Sequence, residues 1–509
     1  MANIDIASMN TQGLNDYKKR RNPFKFKILG LWFTNDLASM SELNFKDKLA
    51  ETKKLFLIWS KRISTPLGRI AILKSLILSK LIYLWILLPN PPTYLIDRLQ
   101  KDVYNFVWDK KPDKIKRCNA MQDLVDGGIG LPHLATYLDA LKIIWARKLV
   151  QDSDIKWKHI LKTYLPITDR FKDYGGASYL ESNCNPFWVD VFSAYERLWD
   201  KIIPETVDDF VAEPLFLNNK FTIDGKPIMW SKLFDNNIKQ VKDLLDDNHK
   251  FMTFQQIETK YDIQIPFIYY FGLIDSIKSY MYKNSFTITE DLNPQYTSSA
   301  NRTITKTHKG AREFYKHLIS KPSQSKALQN WNNLFTSEIP WEKIFKNTKH
   351  ISEINLKWFQ IRINYRILVT NSTLKEMGLK DNNFCSFCHK EKDTIKHYLW
   401  DCPLTQIFWQ QFENLLKDNC MNCTRLQLNP ILTLFGRDNN TETDEGFDFI
   451  MLHAKHYIYK NHIKEQLPTI IGFIEYIKHV YKVDKYIYTM NMKQNKFVKK
   501  WASYEAIMN

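Results

Sequence analysis

The stretch Cys385-Ser-Phe-Cys388-His-Lys-Glu-Lys-Asp-Thr-Ile-Lys-His397-Tyr-Leu-Trp-Asp-Cys402 decides how the chain is read. Two residues separate Cys385 from Cys388, eight separate Cys388 from His397, and four separate His397 from Cys402. Zinc takes four soft or borderline ligands in a tetrahedron. A Cys-x-x-Cys turn offers two thiolates from one side, and a His and Cys on a following helical turn offer the other two. Four protein ligands leave no open position for water, so the expected metal is a structural zinc and not a hydrolytic one. The plainer alternative is four unrelated residues, the cysteines serving as small buried hydrophobes. His389 is a rival to His397, but its adjacency to Cys388 strains chelation of one ion. Cys420 and Cys423 form a second Cys-x-x-Cys with no His or Cys after it, and read as bystanders.

Helical patterning flanks the cluster. From Leu334 to Leu368 apolar residues recur at helical spacing, with Arg362 and Arg366 four apart on another side. From Phe447 to Ile474 the pattern is again helical, and the last 25 residues read as a basic, loose tail. Upstream, Leu43 to Trp59 is periodic at helical spacing, and Ser64-Thr65-Pro66 caps a second helix over Leu67 to Leu88. A third runs from Tyr94 to Trp108. Gly127-Gly-Ile-Gly-Leu-Pro132 is a tight turn without a phosphate-loop ending. Ile28 to Phe33 signals a strand, and Asp224-Gly225 centres a hairpin between Phe221 and Trp230. Trp145, Trp157, Trp188 and Trp199 are expected core anchors. Asn293 to Gly310, rich in Ser, Thr and Asn, is the expected linker.

Seventy-two Lys and Arg against 55 Asp and Glu give a net charge of +17. Such an excess attracts polyanions, nucleic acid foremost. Lys61, Arg62 and Arg69 flank one interhelical turn, and Lys110, Lys111, Lys114, Lys116 and Arg117 crowd another segment. With Arg362 and Arg366 these are the candidate phosphate contacts, which position without reading sequence; a solvated basic face is the alternative. Tyr104, Trp108 and Trp409 have the chemistry to stack on bases, although core packing suits each. Seven cysteines are too few and too scattered for a disulfide framework, which fits a reducing compartment, nuclear or cytoplasmic. No apolar leader opens the chain, and Ile70 to Leu88 contains Lys74 and Lys80, so no membrane partner is expected. Asp208-Asp209 and Asp246-Asp247 lack the strand–turn–strand setting that two-metal catalysis needs, and read as capping or surface pairs.

Cys385-x-x-Cys388…His397-Tyr-Leu-Trp-Asp-Cys402-Pro…Phe408-Trp409 resembles the zinc-binding segment that ends LINE-type (non-LTR) retrotransposon reverse transcriptases. Trp59-Ser-Lys-Arg-Ile-Ser-Thr-Pro-Leu-Gly-Arg69 and Leu73-Lys-Ser-Leu…Tyr83-Leu-Trp resemble that family's thumb. Phe106-Val-Trp-Asp109, Gly127-Gly-Ile-Gly-Leu-Pro132 and Gly225-Lys-Pro-Ile228 are also similar, so the likeness runs from about Phe24 to residue 475. The family's paired polymerase aspartates are absent. Ile6-Ala-Ser-Met-Asn10-Thr-Gln-Gly-Leu-Asn15 resembles the opening strand of the family's endonuclease, whose metal-binding Glu and catalytic Asp and His are missing. Together the two likenesses read as an internal deletion joined near Asn22–Lys25, or as a gene model mis-joined at the same place.

The resemblance implies a mainly α chain: a helical thumb-like domain, then a helical C-terminal region with a small β-hairpin and a CCHC zinc knuckle. Its expected parts are an endonuclease-like remnant at 1–23, the thumb-like domain at 24–125 and a helical connector with the hairpin at 126–292. A linker at 293–310, the reverse-transcriptase zinc-binding domain at 311–430, and a helical segment with a basic tail at 431–509 follow. The implied function is RNA or DNA binding without catalysis by this chain alone. The rivals are a polymerase component acting with a full-length retrotransposon polyprotein, and a zinc-stabilised protein scaffold.

Overall fold

The structure is a computed structural model that describes residues 25–63, 65–151, 155–164, 173–176, 185–288, 297–306, 310–420, 423–442 and 444–508. Residues 1–23, the stretch expected to be an endonuclease-like remnant, lie outside the described residues. The fold is mainly helical, with two small antiparallel hairpins. No single helix among the described residues is long and apolar enough to cross a membrane. The chain divides into two compact units, each assembled from three chain segments.

One unit takes the described parts of Met1–Ile58, Lys74–Asp102 and Pro132–Ser320. Lys25–Ile28 pairs with Leu31–Thr34 around a Leu29-Gly30 turn in which both residues have positive φ, the conformation two-residue hairpins favour. The Asn44 side chain, on the Leu37–Ser60 helix, accepts from the Trp32 N–H and donates to the Trp32 carbonyl, both at 2.8 Å. One amide thus satisfies a strand edge. The second hairpin, Thr222–Ile223 with Lys226–Pro227, turns at Asp224-Gly225, again with positive φ at both. Trp188 and Trp199 are buried, and Trp145 and Trp157 pack against their cluster. Lys142 is also buried, donating to the carbonyls of Trp85 and Leu88 at the end of the Ser79–Leu87 helix. Burial pushes its amine down to about 8.

Two expectations change, the first within this unit and the second in the stretch that the two units divide between Leu73 and Lys74. The stretch read as a linker contains the Ser299–Lys306 helix, whose Ala300 and Ile304 are buried in the tryptophan core. Two apolar residues four apart were enough to hold it there, despite a polar composition. The helix expected from Leu67 to Leu88 is broken into Pro66–Ile72, a π turn at Leu73–Ile77 and Ser79–Leu87. The wide turn rotates the apolar stripe, so that Leu73, Ile77, Leu78 and Leu81 are all buried. Thr65 caps the first piece, accepting from the Gly68 N–H at 3.2 Å, with Pro66 at its start.

The other unit takes Trp59–Leu73, Val103–Leu131 and the described parts of Lys321–Asn509. Here Trp108 packs on Trp358 with ring centres 6.3 Å apart, and the Tyr365 hydroxyl donates to the Gly127 carbonyl at 2.5 Å. The glycine turn is a plain turn: Gly127 has φ 83 and ends a short 3₁₀ turn at Leu124–Asp126. A Cβ on Gly128 would lie 2.0 Å from the Gln122 carbonyl oxygen, a backbone atom with no room to give. Gly128→Ala is therefore expected to destabilise this unit by about 1–3 kcal/mol, the usual range for overpacking; an unchanged midpoint in a urea melt would contradict the close approach.

The tail expectation is also corrected. Ile470–Met490 is followed by the helices Gln494–Trp501 and Glu505–Met508. Phe497, Trp501, Tyr504 and Ile507 are buried at helical spacing, and the Trp501 indole donates to Asp484 at 2.8 Å. Tyr104, Trp108 and Trp409 are buried too, which settles them as core residues.

Candidate metal centre and basic surface

The segment from Asn383 to Asp393 folds back on itself. An isolated bridge joins Phe384 to Lys392, Cys385 N–H donates to the Glu391 carbonyl at 2.9 Å, and Asp393 N–H donates to the Asn383 carbonyl at 2.8 Å. The fold-back needs a left-handed residue just after Cys388, and His389 takes it with φ 53. That conformation leaves the His389 side chain exposed, outside the cluster.

His397 and Cys402 come from a π turn at His397–Asp401, where Cys402 N–H donates to the His397 carbonyl at 2.8 Å. The two residues are five apart in sequence, and in an α-helix such residues point about 140° away from each other. The wider turn brings them to one side. Cys402 then caps the Pro403–Asn419 helix, with Pro403 at its first position.

Cys385, Cys388, His397 and Cys402 thereby place three sulfurs and one ring nitrogen within 4.8 Å of one another. Zinc–sulfur bonds of about 2.3 Å imply sulfur–sulfur edges of about 3.8 Å, so a small contraction closes a tetrahedron. Cys388 Sγ and His397 Nε2 already stand 3.4 Å apart. Cys385, Cys402 and His397 are buried. The groups perturb one another strongly. The hydrogen bond from Cys385 holds the Cys402 thiol down to about 3 and pushes Cys385 up, and bonds to Cys402 and Cys388 push His397 up to about 9. A thiolate-forming, sulfur-rich donor set of this kind fits zinc. Among the described residues it is the only cluster that could hold a metal ion; Cys420 and Cys423 are buried in the core instead.

A buried polar link that the spacing did not reveal anchors the fold-back. Asp393 is fully buried and accepts from the Asn371 N–H at 2.6 Å and from His462 Nε2 at 2.9 Å. His462, on the Glu445–Ile463 helix, stacks on Tyr398 with ring centres 4.1 Å apart and meets Phe387 edge-on. Tyr398 and Phe387 stand beside the cysteines and His397 in sequence. His462 thus ties both halves of the cluster to one helix.

The basic residues divide. Lys61, Arg62, Lys110, Lys111, Lys114, Lys116 and Arg117 are exposed, in the same unit as the cysteine cluster. Burial and the nearby Arg362 guanidinium lower the Lys114 amine, which places these two cations together although they are far apart in sequence. Lys111 pairs with Asp109 at 3.6 Å and Arg117 with Asp113 at 2.6 Å. No ion pair of Lys110, Lys114 or Lys116 occurs among the described residues. Arg362 and Arg366 are half-buried, lying over Tyr459 and Trp331 respectively.

Arg69 is a correction. It is buried, and its guanidinium donates to the carbonyls of Ile63, Phe106 and Ser60 and to Asp109. It clamps the Pro66–Ile72 helix to the end of the Thr93–Val107 helix, with four of its five N–H groups spent inside the fold.

Residues 312–409 match the family described as zinc-binding in reverse transcriptase. The matched span contains all four residues of the cluster. The chain therefore carries a reverse-transcriptase-associated zinc-binding region.

Proposed function

We propose that this chain binds nucleic acid as the zinc-bearing part of a LINE-type reverse transcriptase, with the zinc structural and with no nucleotide addition of its own. The observation that carries the reading is the sharing of one unit: the exposed lysines of 110–116 belong to the same compact body as the zinc-binding region. Phosphate contacts of this kind grip a duplex or strand without reading its sequence. Four protein ligands around the ion favour a structural role.

The carboxylate pairs support the non-catalytic half. Asp209 closes a capping box with Thr206 and pairs with Arg302 at 2.7 Å. Asp246 accepts from the N–H groups of Asn248 and Lys250 within a turn. Neither is free to share two magnesium ions.

RNA or DNA binding is expected to weaken linearly as log salt rises. Lys110→Ala/Lys111→Ala/Lys114→Ala is expected to flatten that slope by about 0.7–0.9 for every phosphate the variant no longer neutralises. Filter binding across a salt series checks both. Binding unaffected by salt or by the triple variant would defeat the reading, and primer extension by the chain alone would defeat its non-catalytic half.

A further inference from the structure

A recess in the zinc-bearing unit is lined by none of the cysteine-cluster residues. It is a cleft of about 540 Å³ bordered by the Trp341–His350, Ile354–Asn364 and Glu445–Ile463 helices. Lys343, Lys346, Arg437, Lys455 and Lys500 line it, against Glu353, Glu445 and Asp448. Asp448 is gripped by both outer nitrogens of Arg437, and Glu353 stands 3.6 Å from His453. Two of the three acids are therefore engaged already; Lys346 pairs with Glu342 at 2.5 Å and Lys500 with Asp484 at 2.9 Å, which leaves Lys343 and Lys455 without an ion pair among the described residues.

Lys455 is the unusual member. It is 1% exposed, on a buried turn of helix between Ala454 and His456. Its amine meets only neutral acceptors, the Gln360 side-chain oxygen at 2.5 Å and the Leu434 carbonyl at 3.1 Å. Neither is a counter-ion, and burial pushes the amine down to about 7. The carboxylate that acts on it, Asp448, is already held by Arg437, and a buried cation without a partner of its own is strongly disfavoured. An anion with several acceptor oxygens, arriving in the cleft, would supply the charge and take up the remaining N–H.

We propose that this cleft is a phosphate-binding site, with Lys455 at its floor and the exposed Lys343 and Lys346 on its rim. Phosphate fits because it is dianionic near neutral pH and compact, with an acceptor for each amine. The phosphoryl group has two sources, a free nucleotide or the terminal phosphate of a nucleic-acid strand. The inference stands apart from the nucleic-acid reading above, since a chain that grips no RNA can still hold phosphate here.

The test is lysine protection in the full chain. Reductive methylation followed by mass spectrometry is run in sodium phosphate and in sodium chloride of equal ionic strength. Lys455 labelling is expected to fall at least about fivefold in phosphate, while an exposed control such as Lys226 is unaffected. Equilibrium dialysis with radiolabelled phosphate is expected to show at least about tenfold weaker binding in Lys343→Ala/Lys346→Ala, whose exposed positions leave the fold intact, and in Lys455→Met; a tenfold loss corresponds to about 1.4 kcal/mol. Protection by ATP assigns the source to a free nucleotide; protection only by an oligonucleotide with a 5′-phosphate, and not its 5′-hydroxyl twin, assigns it to a strand end. Equal labelling of Lys455 in phosphate and chloride overturns the proposal, as does unchanged phosphate affinity in the rim variant. Loss of RNA binding in the Lys110/Lys111/Lys114 variant with Lys455 protection retained separates the two readings.

Discussion

Cys385→Ser is expected to abolish stoichiometric zinc and to unfold the zinc-bearing unit near physiological temperature. Cys385 is buried at the root of the fold-back, where its N–H and carbonyl also close the turn to Glu391 and His389. A serine oxygen keeps those backbone bonds, so the substitution tests the sulfur alone. Structural zinc contributes apparent binding energies of about 10–16 kcal/mol in isolated zinc-finger peptides. Even a third of that is a large share of the about 5–15 kcal/mol that holds an ordinary domain together. Metal analysis of purified protein, paired with a thermal melt, reads both effects. A wild-type control guards against simple misfolding: a strong chelator should lower its melting temperature and added zinc should restore it. A wild-type chain that carries no zinc, and melts alike with and without chelator, sinks the metal assignment.

The second large effect is expected from Asp393→Ala, a residue that touches no metal ligand through its side chain. Its loss strands the His462 imidazole and the Asn371 N–H, both buried around the fold-back. Leaving a buried donor unsatisfied costs about 1–3 kcal/mol, and Asp393 serves two such donors. Asp393→Asn keeps an acceptor for one of the two donors and should recover part of that. Beyond stability, zinc is expected to leave faster, measured as the rate at which a colorimetric chelator captures it. If the alanine variant melts with the wild type and releases zinc at the same rate, the anchoring role of Asp393 and His462 falls.

What could be read in the residues was local. The Cys-x-x-Cys spacing named the cluster, Thr65-Pro66 named a helix start, and Asp224-Gly225 announced one hairpin turn; Ile28 to Phe33, read as a single strand, is instead split by the Leu29-Gly30 turn of the other hairpin. The π turns were hidden, because one added residue in a helix changes no composition and only slips the apolar stripe, as at Leu73–Ile77. The same slip is what lets His397 and Cys402 share a side, so the ligand set was legible while its geometry was not. Arg69 looked like a surface cation from its neighbours, Lys61 and Arg62. Only the distant Phe106 carbonyl and Asp109, brought in by folding, show it to be a clamp. Asp393 and His462 gave no signal for a similar reason: one sits in a charged run and the other on a long helix, and their pairing spans 69 positions. The C-terminal helices are the reverse case: the stripe of Phe497, Trp501, Tyr504 and Ile507 is legible in the residues, interleaved with Lys496, Lys499 and Lys500.

The way the zinc-bearing unit gathers Trp59–Leu73 and Val103–Leu131 with the chain after Lys321 bears on its birth at the ribosome. The early pieces emerge long before the helices that cover Trp108 and bring the Tyr365 hydroxyl to Gly127 exist. Their apolar surface must wait, exposed or chaperoned, and closing loops of that length makes folding slow. A fragment cut to residues 312–409 alone would emerge with Trp358 and Tyr365 uncovered, and an expression plasmid meant to yield a well-behaved zinc module must begin at or before Trp59.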